Sequence, residues 1–371
     1  MLSYDVVVCG GGVAGVAAAI SAARQGAKTV LVEKQCLLGG LATSGLIYIY
    51  LPLCDGLGRQ VTFGIAEELL RRCVEYGPFD VPEAWGGPKG GNSGLGDSTR
   101  FNCCFSPAGF TLTLDKMLEE AGVELWLDST ISDVITENGR VTAIEVANLS
   151  GKQIVYGKCF VDATGSAFVA RLAGADVFSE TNYVTPWVME MADNHEGYHF
   201  TDSLHIANFG SFTEEYTFPA NYDGRRMTDF VRRTWRLCRD YYDSFSKDDR
   251  KRNYPVHLPA MPQLRKIARI DAVYNLSDGD AGKSLPHSIG TVGDWRGVAP
   301  CWETPYEALI PKKIDGLLAA GRCIGASGDA WEIFRVIPSA ALTGEAAGRA
   351  AAISAKKGIL PRNLSCEELI V

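Results

Sequence analysis

Tyr4-Asp5-Val6-Val7-Val8-Cys9-Gly10-Gly11-Gly12-Val13-Ala14-Gly15 decides the fold. The apolar run ends at Cys9 as a buried strand, and Gly10 lets the backbone turn tightly. Gly12 removes a side chain where a pyrophosphate must approach, and Gly15 lets the next helix lie close on the sheet. That alanine-rich helix opens at Val13 and Ala14, and its N-terminus offers free N–H groups and a positive dipole end to two phosphates. Thr29-Val30-Leu31-Val32 reads as a second strand, with Glu33 at its end placed to accept hydrogen bonds from both ribose hydroxyls. A bare G-x-G-x-x-G says little in a chain with 40 glycines among 371 residues. Strand, glycines, helix, strand and acid in register specify an adenine dinucleotide site. The acid at 33 also argues against a ribose 2′-phosphate, which it would repel.

The length suits two domains with a sizeable core. Hydrophobic content of 46% and charged content of 22% are those of a globular protein without a membrane span, and a net charge of −8 argues against nucleic acid as a partner. Arg225-Arg226, Arg232-Arg233 and the mixed run 247–252 read as solvated surface. The first strand starts so near Met1 that no signal peptide is expected, and the 11 scattered cysteines read as buried thiols of a cytoplasmic protein. Cys103-Cys104 is the expected exception, an exposed pair in a Gly/Ser/Asn-rich region. No spacing suggests a metal site.

Further along, Leu37-Leu38-Gly39-Gly40-Leu41-Ala42-Thr43 forms a small-residue loop on the dinucleotide side of the sheet, able to approach something flat. A helix is expected over 62–76, a long excursion over 77–109, a helix over 111–120 and a strand over 122–127. Two strands flank the turn Glu137-Asn138-Gly139-Arg140, and a third covers Gln153-Ile154-Val155-Tyr156, giving a small inserted antiparallel sheet. A separate strand, Cys159–Asp162, then runs into Ala163-Thr164-Gly165. Aromatic residues crowd 183–245, read as a second domain covering the reactive end of the cofactor. The last unit is a strand ending at Gly321, then a helix over 339–356 with Pro338 at its start.

Four blocks together resemble the glutathione-reductase-like flavoproteins and, within them, a family of FAD-dependent oxidoreductases. They are residues 4–40, Asp162-Ala163-Thr164-Gly165, Leu318-Ala319-Ala320-Gly321-Arg322-Cys323-Ile324, and Arg335-Val336-Ile337-Pro338 running into Gly344-Glu345-Ala346-Ala347-Gly348. The resemblance implies an α/β fold: a Rossmann-like FAD/NAD(P)-binding domain with the inserted sheet, and a mixed α+β substrate domain. The FAD-binding domain would comprise 1–175, with an excursion over 46–110, and 305–371; the substrate domain would comprise 176–304. It puts Gly10, Gly12, Val13, Ala14, Gly15, Glu33 and Lys34 on the ADP half of FAD. Gly39, Gly40, Leu41, Ala42 and Thr43 fall near the ribityl chain and ring, and the backbone at Ile131 near adenine. Ala163, Thr164 and Gly165 flank the pyrophosphate, with Gly321 alongside. Arg322 stands where relatives often carry an acid that bonds the ribityl chain, for which Asp329 is the substitute; Ser166 likewise departs from a frequent Asp. The final helix, at Pro338 to Ala341, would face the flavin pyrimidine and stabilise its negative charge.

The resemblance implies hydride transfer at flavin N5, with a dehydrogenase preferred over an oxidase or monooxygenase, and a non-catalytic flavin-binding protein as the rival outside enzymes. The C-x-x-x-x-C pair of disulfide reductases is missing at Leu41-Ala42-Thr43-Ser44, and no second dinucleotide fingerprint follows. Candidates at the substrate are His287 as a base, Arg265 and Arg269 as carboxylate clamps or interdomain laces, and Arg335, either in the pocket or salt-bridged to Glu332 or Asp329. His195, His199 and His205 read as local hydrogen-bonders. The expected partners are a small-molecule substrate and a second electron donor or acceptor, and the oligomeric state is left open.

Overall fold

The computed structural model describes residues 2–57, 59–81, 103–193, 200–201, 203–298 and 300–369. β1 (Leu2–Cys9) carries a nearly continuous apolar run because both of its faces are covered. Val6 and Val8 point into one core and Val7 and Cys9 into another, as alternation along a strand requires. α1 (Val13–Arg24) and β2 (Thr29–Val32) follow with the expected bounds, β2 parallel to β1.

α2 (Ile65–Arg72) is shorter than the helix expected over 62–76. Gly64, at φ +70, starts it, and the Glu345 carboxylate accepts the Ile65 N–H at 2.7 Å. Part of the excursion expected over 77–109 lies outside the described residues. Cys103 and Cys104 correct the expectation of an exposed pair: they form a short strand against Ile49–Tyr50 and are 3% and 8% exposed. α3 (Pro107–Ala121) starts four residues earlier than expected because Ser106 accepts the Gly109 N–H and Pro107 suits the first turn.

β3 (Glu124–Trp126), β4 (Thr130–Glu137), β5 (Arg140–Asn148) and β6 (Gly151–Asp162) complete most of the sheet. The strands expected at 153–156 and 159–162 are one. Along β6, Gln153 to Tyr156 pair antiparallel with β5, while Val155 to Asp162 pair parallel with β1. The antiparallel hairpin is therefore an extension of the main sheet, not an inserted sheet of its own. Gly157, which looks like a break in the sequence, is a close approach: a Cβ there would sit 2.8 Å from both Phe160 and Val7 side chains.

α4 (Phe168–Leu172) leads to a second region. There β7 (Trp187–Met191) and β8 (Leu204–Asn208) are antiparallel, and α5 (Gly224–Asp243) precedes β9 (Tyr254–His257), which pairs with β7. Glu190 on β7 and His205 on β8 form a buried pair at 2.9 Å, and the Tyr242 hydroxyl of α5 donates to Glu190. Gln263 ties this region to the glycine loop: its amide bonds both Trp187 backbone groups and donates to the Gly45 carbonyl.

β10 (Leu317–Ala319) returns to the sheet beside β6, giving the order β3-β2-β1-β6-β5-β4 with β10 on β6. α6 (Gly328–Phe334) and α7 (Ile337–Lys357) close the described chain. α7 lies on α1 with almost no gap. A Cβ at Gly344 would fall 2.2 Å from the Ala14 carbonyl oxygen, and one at Gly348 2.0 Å from that of Ala18. Small residues on both helices are what permit that approach.

Candidate active site

Three parallel strands, β1, β6 and β10, end side by side at Cys9, Asp162 and Ala319. Their carboxyl ends open a cleft lined from Gly10 to Ala340, the place where open α/β sheets bind ligands. Gly10, at φ +104, has no room for a side chain, since a Cβ would meet the Ala163 carbonyl oxygen at 2.7 Å. At Gly15 a Cβ would lie 1.8 Å from the Gly10 oxygen. Gly12 differs: nothing lies within 4 Å of its would-be Cβ, so open space fronts the start of α1. No side chain caps that helix, which leaves its first N–H groups facing the space.

Glu33 is 8% exposed and held from two sides, accepting from Gly11 N at 2.6 Å and Gln35 N at 2.8 Å. Those bonds fix the carboxylate and leave further lone pairs for hydroxyl donors. Lys34, Val13 and Ala14 also line the cleft, as do Gly39, Gly40, Leu41 and Ala42. Ala163, Thr164, Gly165, Gly321 and Arg322 line the opposite side.

Other expected residues sit just behind the wall or away from it. Gly15 packs under Gly10, and Thr43 is buried, its hydroxyl donating to the Leu38 carbonyl. Ile131, in β4, pairs with Val146 of β5, and its side chain is buried in the core, which leaves the expectation for its backbone untouched. Pro338 and Ala341 are buried in the first turns of α7; Ile337 and Ala340 are the wall residues instead, because they point to the other face of the helix. Asp329 stands outside, paired with Arg296 at 3.0 Å and largely exposed. His287 is displaced too: it occupies a turn at φ +56, its ring bonds Glu307, and it lines a separate depression with Tyr306, Arg362 and Cys366. His195 and His199 lie outside the described residues.

The wall also holds Gln35, Ser166, Met227, Met261, Pro262 and Ile267, none expected as cofactor contacts. Gln35 follows Glu33, and Ser166 follows Gly165, closely enough to be inferred. The others arrive through tertiary contacts that no local spacing reveals.

Cations dominate the far side. Arg322, 8% exposed, donates from Nε to the Gly165 carbonyl at 2.6 Å and from Nη1 to that of Leu264. Burial pushes its guanidinium down to about 10, with Arg335 adding to the effect. Beneath it, buried Asp162 accepts from Thr164 Oγ1 at 2.7 Å and Ala170 N at 2.9 Å, bracing the turn; burial still holds its carboxyl above the ordinary value. Arg335 satisfies both of its expected placements. It donates to Glu332 at 2.7 Å, lines the cleft, and rests over the Trp295 ring at 5.8 Å. Lys266 shares Glu332 at 3.3 Å. Burial would raise the Glu332 carboxyl, but Arg335 and Lys266 together hold it below the ordinary value. Arg265 bonds Thr185 at 2.5 Å and lies over Phe212 at 5.4 Å; Arg269 bonds Asn275 at 3.1 Å.

Residues 5–183 and 283–370 match the model of the FAD dependent oxidoreductase family. The chain belongs to that family. Its fold is a Rossmann-like α/β fold. Digeranylgeranylglycerophospholipid reductase of Thermoplasma acidophilum is 27% identical over 177 residues, spanning 44% of this chain and only 40% of that reductase. The p-nitrophenol 4-monooxygenase PnpA of Pseudomonas putida DLL-E4 superposes with a TM-score of 0.53 at 14% identity, over 100% of this chain and 83% of the other. BexE, studied for oxidation during BE-7585A biosynthesis, gives 0.50 at 14% identity, over 95% and 63%. These two likenesses show the fold alone.

The cleft suits FAD: open space before Gly12, an uncapped helix start and a fixed carboxylate match phosphate and ribose in turn. Among the described residues no group of His, Cys, Asp and Glu could hold a metal, and no helix is long and apolar enough to cross a membrane.

Proposed function

We propose that the protein is a dehydrogenase that moves a hydride between flavin N5 and a small organic molecule, on a glutathione-reductase-like scaffold. The observation that carries this reading is the start of α7. That helix is 21 residues long, no side chain caps it, and Ile337 and Ala340 bring its first turns onto the cleft wall beside Arg335. A helix N-terminus carries roughly half a positive charge, and with Arg335 it holds negative charge at that end of the cleft. FAD, when bound, supplies a two-electron centre that takes or gives a hydride at N5.

The chain's own residues divide the remaining work. Gly12 and the first turn of α1 would hold the pyrophosphate, Arg322 would add a cation from the opposite side, and Glu33 would accept from the ribose. The backbone of Gly39 to Ala42 would lie along the ribityl chain and ring. Residues 176–304 are read as the region covering the flavin.

The name of the Thermoplasma relative, a reductase, favours two-electron chemistry at carbon. The test is anaerobic: FAD-loaded protein is mixed with hydroxy acids, amines, sugars and enones, the enones after prior reduction of the flavin. Bleaching by one class, or reoxidation by an enone, is the expected result; silence towards all of them favours a flavin-binding protein without catalysis.

A further inference from the structure

We infer that residues 260–264 form a strap across the cofactor cleft, locked by Gln263, so that FAD enters and leaves only when the strap parts. The inference goes beyond the hydride-transfer reading and holds whatever substrate the flavin meets.

The first ground is that the segment is tied to both walls. Ala260-Met261-Pro262-Gln263-Leu264 follows β9 and belongs to neither a helix nor a strand. Met261 and Pro262, at its middle, share the lining of the cleft with Gly10 and Gly12. At one end, the Ala260 N–H donates to the Ser44 carbonyl at 2.8 Å, and the Ala260 carbonyl accepts from Gln35 Nε2 at 3.3 Å. At the other end, the Leu264 carbonyl accepts from Nη1 of Arg322, whose Nε donates to the Gly165 carbonyl at 2.6 Å.

Sheet order shows that these anchors stand apart. Gln35 follows β2 and Arg322 follows β10, and β1 and β6 lie between those two strands. Three strand spacings come to roughly 14 Å, and five residues reach at most roughly 17 Å. With two long side chains meeting it, the segment is long enough to cross the strand ends and has little length to spare.

The second ground is the lock. Gln263 is 3% exposed, and its amide is used three times. Oε1 accepts from Trp187 N at 2.7 Å, while Nε2 donates to the Trp187 carbonyl at 3.1 Å and to the Gly45 carbonyl. The amide thus fastens the strap to the glycine loop and to β7 together. Opening it strands several buried polar groups at once, which makes the closed form the resting one. Pro259 and Pro262 fix their own φ and hold the residues before them extended, so the segment opens as a unit.

The third ground is that one residue serves both strap and cofactor wall. Arg322 lines the cleft and holds Leu264 with the same guanidinium. An anion in the cleft that steadies this side chain steadies the strap as well, which links a filled cleft to a closed one.

The test compares two rates in wild type and Gln263→Ala. Release of FAD from the loaded protein on dilution is followed by free-flavin fluorescence, and uptake by the flavin-stripped protein is followed by its quenching. Both rates are expected to rise about tenfold or more in the variant, with the dissociation constant changing less than either. Loss of a mere contact or of general stability would speed release without speeding uptake. Faster release with unchanged or slower uptake, or no change in either rate, therefore overturns the strap. If Gln263→Ala does not fold, Gln35→Ala decides, since it removes a single exposed bond to Ala260. It is expected to speed both rates about threefold or more, and uptake no faster than in wild type overturns the inference. Neither rate involves a substrate, so failure here leaves hydride transfer standing.

Discussion

Arg335 donates from Nε to Glu332 Oε2 at 2.7 Å, and the same carboxylate takes Lys266 at 3.3 Å, so one acid holds two cations against the wall of the cleft. Replacing it with Glu332→Gln leaves both under-compensated in a mostly buried setting, at a cost of about 2 kcal/mol. Chemical unfolding of the FAD-loaded protein measures this. The pH dependence follows from the lowered carboxyl: its stabilisation is complete above the ordinary value near 4.5 and is lost as pH falls through the folded value. The variant should therefore lose less stability than the wild type over that acid range.

Gly12 and Gly15 separate cofactor binding from folding. Gly12→Ala adds a methyl group where nothing lies within 4 Å, so the fold should survive. The methyl would stand where phosphate approaches, and loss of two charge-assisted bonds weakens FAD by on the order of a hundredfold or more. Gly15→Ala drives a methyl group to 1.8 Å from the Gly10 oxygen and should unfold or aggregate. Flavin retention and circular dichroism on the two variants distinguish the outcomes.

Gly348→Ala probes the contact between α1 and α7. Its methyl would meet the Ala18 carbonyl oxygen at 2.0 Å, and rigid backbone on both sides cannot yield cheaply. A loss of about 3 kcal/mol or more is expected in an unfolding titration, with flavin released as the helices part.

Thiol labelling tests the burial of the cysteines. Cys36 is the exposed one and Cys301 is intermediate, while the other nine are buried. Burial also pushes Cys104, Cys159 and Cys323 up to about 12, which keeps them as unreactive thiols. A fast phase that disappears in Cys36→Ser is expected; rapid labelling of Cys103 or Cys104 in native protein would contradict the fold.

Much of the cofactor half was legible because its signals are local. The strand, glycines and acid from Tyr4 to Glu33 each act on neighbours a few residues away, and Gly39 to Ala42 announce a close approach by their size alone. The join of 153–156 and 159–162 into one strand was not legible, since Gly157 reads as a break until Val7 and Phe160 are seen packed against it. Asp329 fell elsewhere than expected because pairing with Arg296 fixed its side chain. His287 looked like a candidate base only while Glu307, twenty residues on, was not known to hold its ring. Met227 and Met261 reach the cleft wall through contacts distant in the chain, and nothing in their own segments says so.

The choice of hydride transfer over oxygen chemistry is tested most directly by reducing the FAD-loaded protein under nitrogen and then admitting air. Slow reoxidation, with an organic acceptor reoxidising the flavin faster than oxygen does, is the expected result. Rapid reoxidation by air with release of hydrogen peroxide, and no response to any organic acceptor, would contradict it.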